Sequence, residues 1–144
     1  MIINRNILTL EEFRKQELRS LPKATGELSN LLRDIALAAK RVNVEVNKAG
    51  LVDILGETGA VNIQGESVQR LDEFANAEFM AVLQRGVSCA GIASEELDEF
   101  VAFNDALCHQ SKYAVVMAPL AGSTNIEVNI SIATIFGVYR RRSE

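Results

Sequence analysis

The acids of this chain are the residues best suited to chemistry: Glu66, Asp72, and the run Glu95, Glu96, Asp98 and Glu99 that follows Ala93-Ser94. Carboxylates that converge can hold divalent ions, which neutralise a transferring phosphoryl group and activate a water. Each also has a plainer reading. Glu95, Glu96, Asp98 and Glu99 suit a solvated acidic turn between two strands. Asp72 lies on a helix flank beside Arg70 and Glu73, and Glu66 follows Gly65 in a turn near a helix start. His109, the single histidine, has no partner at metal-ligand spacing and reads as a surface loop residue.

A second segment discriminates better. Lys112-Tyr113-Ala114-Val115-Val116-Met117-Ala118-Pro119-Leu120-Ala121-Gly122-Ser123-Thr124-Asn125-Ile126-Glu127 leads an apolar strand-like run into a Pro and Gly turn. Thr25-Gly26-Glu27-Leu28-Ser29, Asn47-Lys48-Ala49-Gly50-Leu51, Ala93-Ser94-Glu95-Glu96 and Thr134-Ile135-Phe136-Gly137-Val138-Tyr139-Arg140-Arg141 accompany it in a fixed order. On these segments the chain resembles class 1 fructose-1,6-bisphosphatase. In that family the loop reads Asp-Pro-Leu-Asp-Gly-Ser, and its two aspartates hold catalytic divalent ions; this chain has Ala118 and Ala121 there.

The resemblance implies two sites. Glu95 corresponds to a bridging metal ligand, with the carbonyl of Leu120 as a further ligand and Ala118 and Ala121 at lost ligand positions. Glu66 corresponds to a catalytic-loop acid, and Asp72 with Glu96 to the pair that polarises the attacking water. Gly122, Ser123 and Thr124 correspond to the turn whose N–H groups face the departing phosphate, an anion-binding nest. Magnesium or manganese is the family's cofactor, and two methyl groups supply no oxygen to either, so metal binding is expected to be impaired. The second site is a nucleotide site for AMP, carried over to Thr25, Gly26, Glu27, Leu28, Ser29, Lys112, Tyr113 and Arg140. Helix amides, a lysine and an arginine suit a phosphate, and a tyrosine suits a sugar or base. The plainer alternative is that Thr25 caps a helix while Lys112 and Arg140 flank strands.

These residues need elements to hold them. Thr9 with Glu12 has capping-box spacing ahead of a helix from Glu11 to Arg19 that ends before Pro22. Apolar residues from Leu28 through Leu31, Leu32, Ile35, Ala38, Ala39, Val42 and Val46 predict one face of a long helix stopped by Gly50. Ser67 can cap a third helix with Leu71, Phe74, Ala75, Phe79, Val82 and Leu83 buried, ending at Gly86. Strands are predicted at Val87 to Ile92, Glu99 to Phe103, Tyr113 to Met117 and Glu127 to Arg140, the last with Val128, Ile130, Ile132, Thr134, Phe136 and Val138 on one face. The fold class is α+β: layered helices against a mixed, mostly antiparallel sheet, resembling the amino-terminal half of the sugar phosphatase fold.

Composition bounds the function. With 48% hydrophobic and 24% charged residues, residues 1–144 suit a single domain with a real core. A net charge of -4 offers no basic field for nucleic acid or an anionic membrane. No apolar stretch approaches the length of a membrane span and the amino terminus lacks the charged-then-apolar order of a secretory signal, so a cytoplasmic location is expected. Cys89 and Cys108 read as structural thiols.

The resemblance further implies that the family's sugar-phosphate-binding half is absent here, which would leave the last strand with an unpaired edge and an uncovered face. The expectation is a domain disabled by Ala118 and Ala121, binding fructose 1,6-bisphosphate weakly or not at all, retaining AMP or subunit binding, and assembling as a homo-oligomer. An active phosphatase using the remaining carboxylates or a partner chain is one alternative. A non-catalytic oligomerisation module is the other.

Overall fold

The computed structural model describes residues 7–23, 25–54, 61–124 and 131–142, and the side chains of 49–54 and 61–69 lie outside that description. Its elements are α1 (Leu10–Ser20), α2 (Glu27–Ile54), α3 (Val61–Arg85), β1 (Gly91–Ser94), β2 (Val101–Ala102), α4 (Ala106–Gln110), β3 (Tyr113–Ala121) and β4 (Ala133–Arg140). The strands form one sheet in the order β2-β1-β3-β4, antiparallel except for the parallel β1–β3 pair. Helices and a mixed sheet are thus present, as the sequence predicts.

Local chemistry explains the helices. Thr9 Oγ1 accepts from the Glu12 N–H at 3.2 Å, and Glu12 Oε2 accepts from the Thr9 N–H at 2.8 Å, completing the capping box. In α2 the residues at intervals of three and four, Leu31, Ile35, Ala38, Val42 and Val46, are the buried ones, because one face of the helix packs on α3. Gly50 does not stop α2, which runs on to Ile54; one interior glycine costs only about 1 kcal/mol relative to alanine. Ser67 is likewise not a cap, since α3 begins at Val61.

Phe74 is not in the core. Ala75, Phe79, Val82 and Leu83 form the buried stripe of α3, and Phe74 sits one position off it, 37% exposed. The end of α3 departs from the simple glycine stop. The Ser88 N–H bonds Leu83 O at 3.3 Å and the Val87 N–H bonds Gln84 O at 3.2 Å, which places Val87, not Gly86, in the left-handed conformation at φ 53°. A Cβ at Gly86 would meet the end of the Asp34 side chain, which would have to move aside. That turn uses up Val87 and Ser88, so β1 starts at Gly91 rather than Val87.

The sheet also differs in its limits. β2 keeps only Val101 and Ala102 of the expected Glu99 to Phe103. A short helix, α4, follows, its cap Asp105 accepting from the Leu107 N–H at 2.8 Å; His109 is therefore an exposed helix residue rather than a loop residue. β3 continues past Met117 through Pro119, beyond the end of β1, whose last partner is Met117. Proline is tolerated there because the ladder to β4 is irregular between Ala118 and Ala121.

β4 begins at Ala133; the expected part from Glu127 through Ile130 lies outside the described residues. Ile132 and Val138 pack on the core, while Phe136 is 41% exposed, contrary to its expected place on the apolar face. Among the described residues β4 is an edge strand with one unpaired side. The helices cover the face bearing Ile92, Val115 and Met117; on the opposite face Val116, Ile135 and Tyr139 are exposed.

Candidate functional site

β3 joins two groups of polar residues. At its far end, with the loop after β1 and the middle of α3, lie the acids. Ser123 Oγ donates to Asp72 Oδ2 at 3.1 Å, while Asp72 Oδ1 is buried without a partner among the described residues. The loop after β1 is pinned by the Glu95 N–H to Met117 O at 3.0 Å and the Glu96 N–H to Ser94 Oγ at 3.3 Å. Asp72, Glu95 and Glu96 are close enough to repel one another. Burial pushes the Asp72 carboxyl above its ordinary value, the Ser123 hydrogen bond pulls it back in part, and the charge of Glu95 raises it again. Glu96 is also raised, by burial first and then by Asp72, Glu95 and Glu73.

Ala118 and Ala121 are half-buried residues of β3, and the side chain of Leu120 is buried. Gly122 turns the chain at φ 82°, a conformation glycine adopts without strain, and Ser123 and Thr124 follow in a tight turn. Asp72, Glu95, Glu96 and Ser123 are therefore brought together. Glu66 lies within α3 rather than in a turn, about 9 Å along the axis from Asp72, and its side chain is outside the described residues. Among the described residues no group of three or more His, Cys, Asp or Glu converges into a cation cluster. Asp72 Oδ1 is an oxygen in want of a partner among the described residues, and the side chains of Ala118 and Ala121 bring no oxygen; magnesium keeps several of its waters and takes one or two carboxylates from a protein.

The near end of β3 is different. A cavity of about 690 Å³ opens between α1, the α1–α2 connection, α2 and Tyr113. Thr25, Gly26, Leu28 and Ser29 line it, together with Phe13, Leu18, Leu21 and Leu32. Gly26 takes φ 83°, and its carbonyl receives the first bond of α2 from the Asn30 N–H at 2.9 Å, so the free amides of the helix start face this region. Lys112 Nζ lies 3.3 Å from Glu27 Oε1. The β3–β4 register sets Arg140 opposite Tyr113, and the Arg141 N–H bonds Lys112 O at 2.8 Å. Thr25, Gly26, Glu27, Leu28, Ser29, Lys112, Tyr113 and Arg140 thus sit at one end of the sheet.

The contribution of α1 to this cavity was not foreseen. Phe13, Arg14, Glu17, Leu18 and Leu21 line it, and their spacing of three and four along one helix face was the available signal. The thiols contribute no nucleophile: burial pushes Cys89 up to about 12 and raises Cys108. Among the described residues no helix is long and apolar enough to cross a membrane.

Residues 8–144 match the family model described as the amino-terminal domain of fructose-1-6-bisphosphatase. The structure is similar to the crystal structure of Leishmania major fructose-1,6-bisphosphatase in holo form, with a TM-score of 0.74 and 26% identity over 95% of this chain and 39% of that one. The T-state form of that enzyme gives 0.69 and 26% over 92% and 37%, and the apo form gives 0.70 and 24% over 92% and 36%. The chain spans less than two fifths of the length of these solved relatives.

Proposed function

This chain belongs to the fructose-1,6-bisphosphatase family, through that family's amino-terminal domain, and on that premise we propose that it is a catalytically disabled member that binds AMP and further copies of itself. The family's reaction is metal-dependent hydrolysis of the 1-phosphate of fructose 1,6-bisphosphate. The observation that carries the loss is the pair of methyl groups at Ala118 and Ala121, in a strand beside acids that form no cation cluster among the described residues.

If metal electrostatics supplied only about 4 kcal/mol to the transition state, its absence slows turnover by roughly a thousandfold. In a magnesium-dependent phosphate-release assay on fructose 1,6-bisphosphate, the chain should be indistinguishable from a Glu95→Ala control. A rate that drops in the control would restore the reading as an active phosphatase.

The nucleotide part rests on the cavity at the start of α2. Helix amides suit a phosphate, with Lys112 next to the cavity but not on its lining, Tyr113 and the leucines suit a sugar and ring, and the volume of about 690 Å³ is ample for a mononucleotide. Melting temperature should rise with AMP concentration, and no change at millimolar AMP ends this part of the reading.

Self-association rests on β4, an edge unpaired among the described residues and beside exposed Ile135 and Tyr139, which a second copy can pair with about a two-fold axis. Light scattering should show a multimer. We place the protein in the cytoplasm, in keeping with two buried, unpaired thiols.

A further inference from the structure

We propose that a second cavity, between the start of α2, the end of α3 and α4, binds a small aliphatic amine through its ammonium group. This cavity shares no lining residue with the one beneath α1, and its ligand is independent of any nucleotide there. Its volume is about 290 Å³, and its lining includes Glu27, Val87, Ser88, Leu107, Gln110 and Ser111. That size lies near the lower limit of small-molecule sites, so the ligand is short.

The hydrogen bonds of the lining give the ligand its charge. Ser88 Oγ donates its hydrogen to Asp34 Oδ2, and Ser111 Oγ donates to Ser88 O at 3.2 Å. What both hydroxyls have left is lone pairs, which call for a donor. Glu27 adds a carboxylate whose Oε2 is buried without a hydrogen-bond partner among the described residues, a costly state that a donor in the cavity relieves once the carboxylate turns towards it. α3 ends at Arg85, so the negative pole of that long helix lies at Val87 and Ser88. Anions are disfavoured on both counts, whereas an ammonium carries three donors and no acceptor. Lys112 shows the preference within the chain itself, its Nζ lying 3.3 Å from Glu27 Oε1. The other neighbouring cation, Arg141, is engaged by the carbonyls of His109 and Ser111 and leaves the Ser111 hydroxyl free. Val87 and exposed Leu107 supply apolar surface for an alkyl stem. If the cavity is only a water-filled crease, an alcohol of the same length should bind as well as the amine.

The test is a heteronuclear NMR titration of the wild type, Glu27→Gln and Lys112→Ala with butylammonium chloride, with butanol and tetramethylammonium chloride as controls. Butylammonium should shift the amides of 86–88 and 107–111 and saturate in the millimolar range, and neither control should do so. Glu27→Gln should weaken the amine about tenfold, since it removes a charge-assisted hydrogen bond. Lys112→Ala should tighten it by about two- to threefold, because the resident competitor for Glu27 is gone. These opposite signs separate a ligand contact from a loss of local structure, and the two controls on the wild type decide the matter even where a variant fails to fold. Shifts confined to the acids of 95–99 would overturn the inference by assigning the amine to the other end of β3. An equal response to butanol or to tetramethylammonium, or no shift at all in the cavity amides, would overturn it as well.

Discussion

Tyr113 and Ala121 end the same strand, about 26 Å apart, in opposite chemical surroundings. Around Ala121, acids from α3 and the loop after β1 raise one another's proton affinity. Around Tyr113, an apolar cavity meets a helix start and a lysine. The strand that connects them is continuous, with alanines where the family's metal loop carries aspartates. Strand pairing and the Ser123–Asp72 bond hold the end of β3 and the turn after it. In the reading proposed above, what the two alanines remove is charge, on which the family's chemistry depends.

The sharpest way to test this contrast is to restore that charge. Ala118→Asp with Ala121→Asp should give a melting temperature that rises with manganese, and saturation at a hundred times Kd corresponds to about 2.7 kcal/mol. The wild type should show no such rise. A second substitution probes the near end: Lys112→Ala should weaken AMP about tenfold, since a hydrogen bond to a charged group contributes about 1.5–3 kcal/mol, with no change in manganese response.

The pH dependence separates the ends further. The Asp72 carboxyl is raised in the folded state, so the fold binds that proton more tightly than the unfolded chain does. Its contribution to stability is lost as pH rises from its ordinary value of 3.8 through the raised folded value, and it stays lost at neutrality. Asp72→Asn should accordingly melt higher than the wild type at pH 7, with the gap closing below that ordinary value. Glu11 and Glu12 are shifted the other way by Arg14 and Thr9, but they are common to both proteins and cancel. The smallest effect is at Glu27, whose carboxylate occupies Lys112. Glu27→Gln should tighten AMP by a few fold, and weakening instead would show that the carboxylate positions the lysine.

The core of α2 was legible in the sequence because burial on one face imposes the helical repeat on Leu31, Ile35, Ala38, Val42 and Val46. The capping box at Thr9 was legible because both its members are local. Features that depend on distant contacts were not. Gly86 looks like the left-handed stop of α3, yet Val87 takes that conformation instead, and the Asp34 side chain lies against Gly86. The continuation of β3 through Pro119 depends on β1 having ended, which no residue of β3 encodes. At the candidate sites, residue identity placed Asp72, Glu95, Glu96 and Ser123 on matching positions, but the hydrogen bond between Asp72 and Ser123 spans elements far apart in sequence. The cavity is a gap between helices, so Phe13 and Arg14 read only as members of a short polar helix until α1 is seen against α2.

Titration of the chain with manganese, in the presence and absence of AMP, bears on both ends of β3 in one sample. The account predicts heat on adding AMP and none on adding manganese up to millimolar concentration. Two equivalents of manganese taken up at micromolar affinity by the unaltered chain would contradict it.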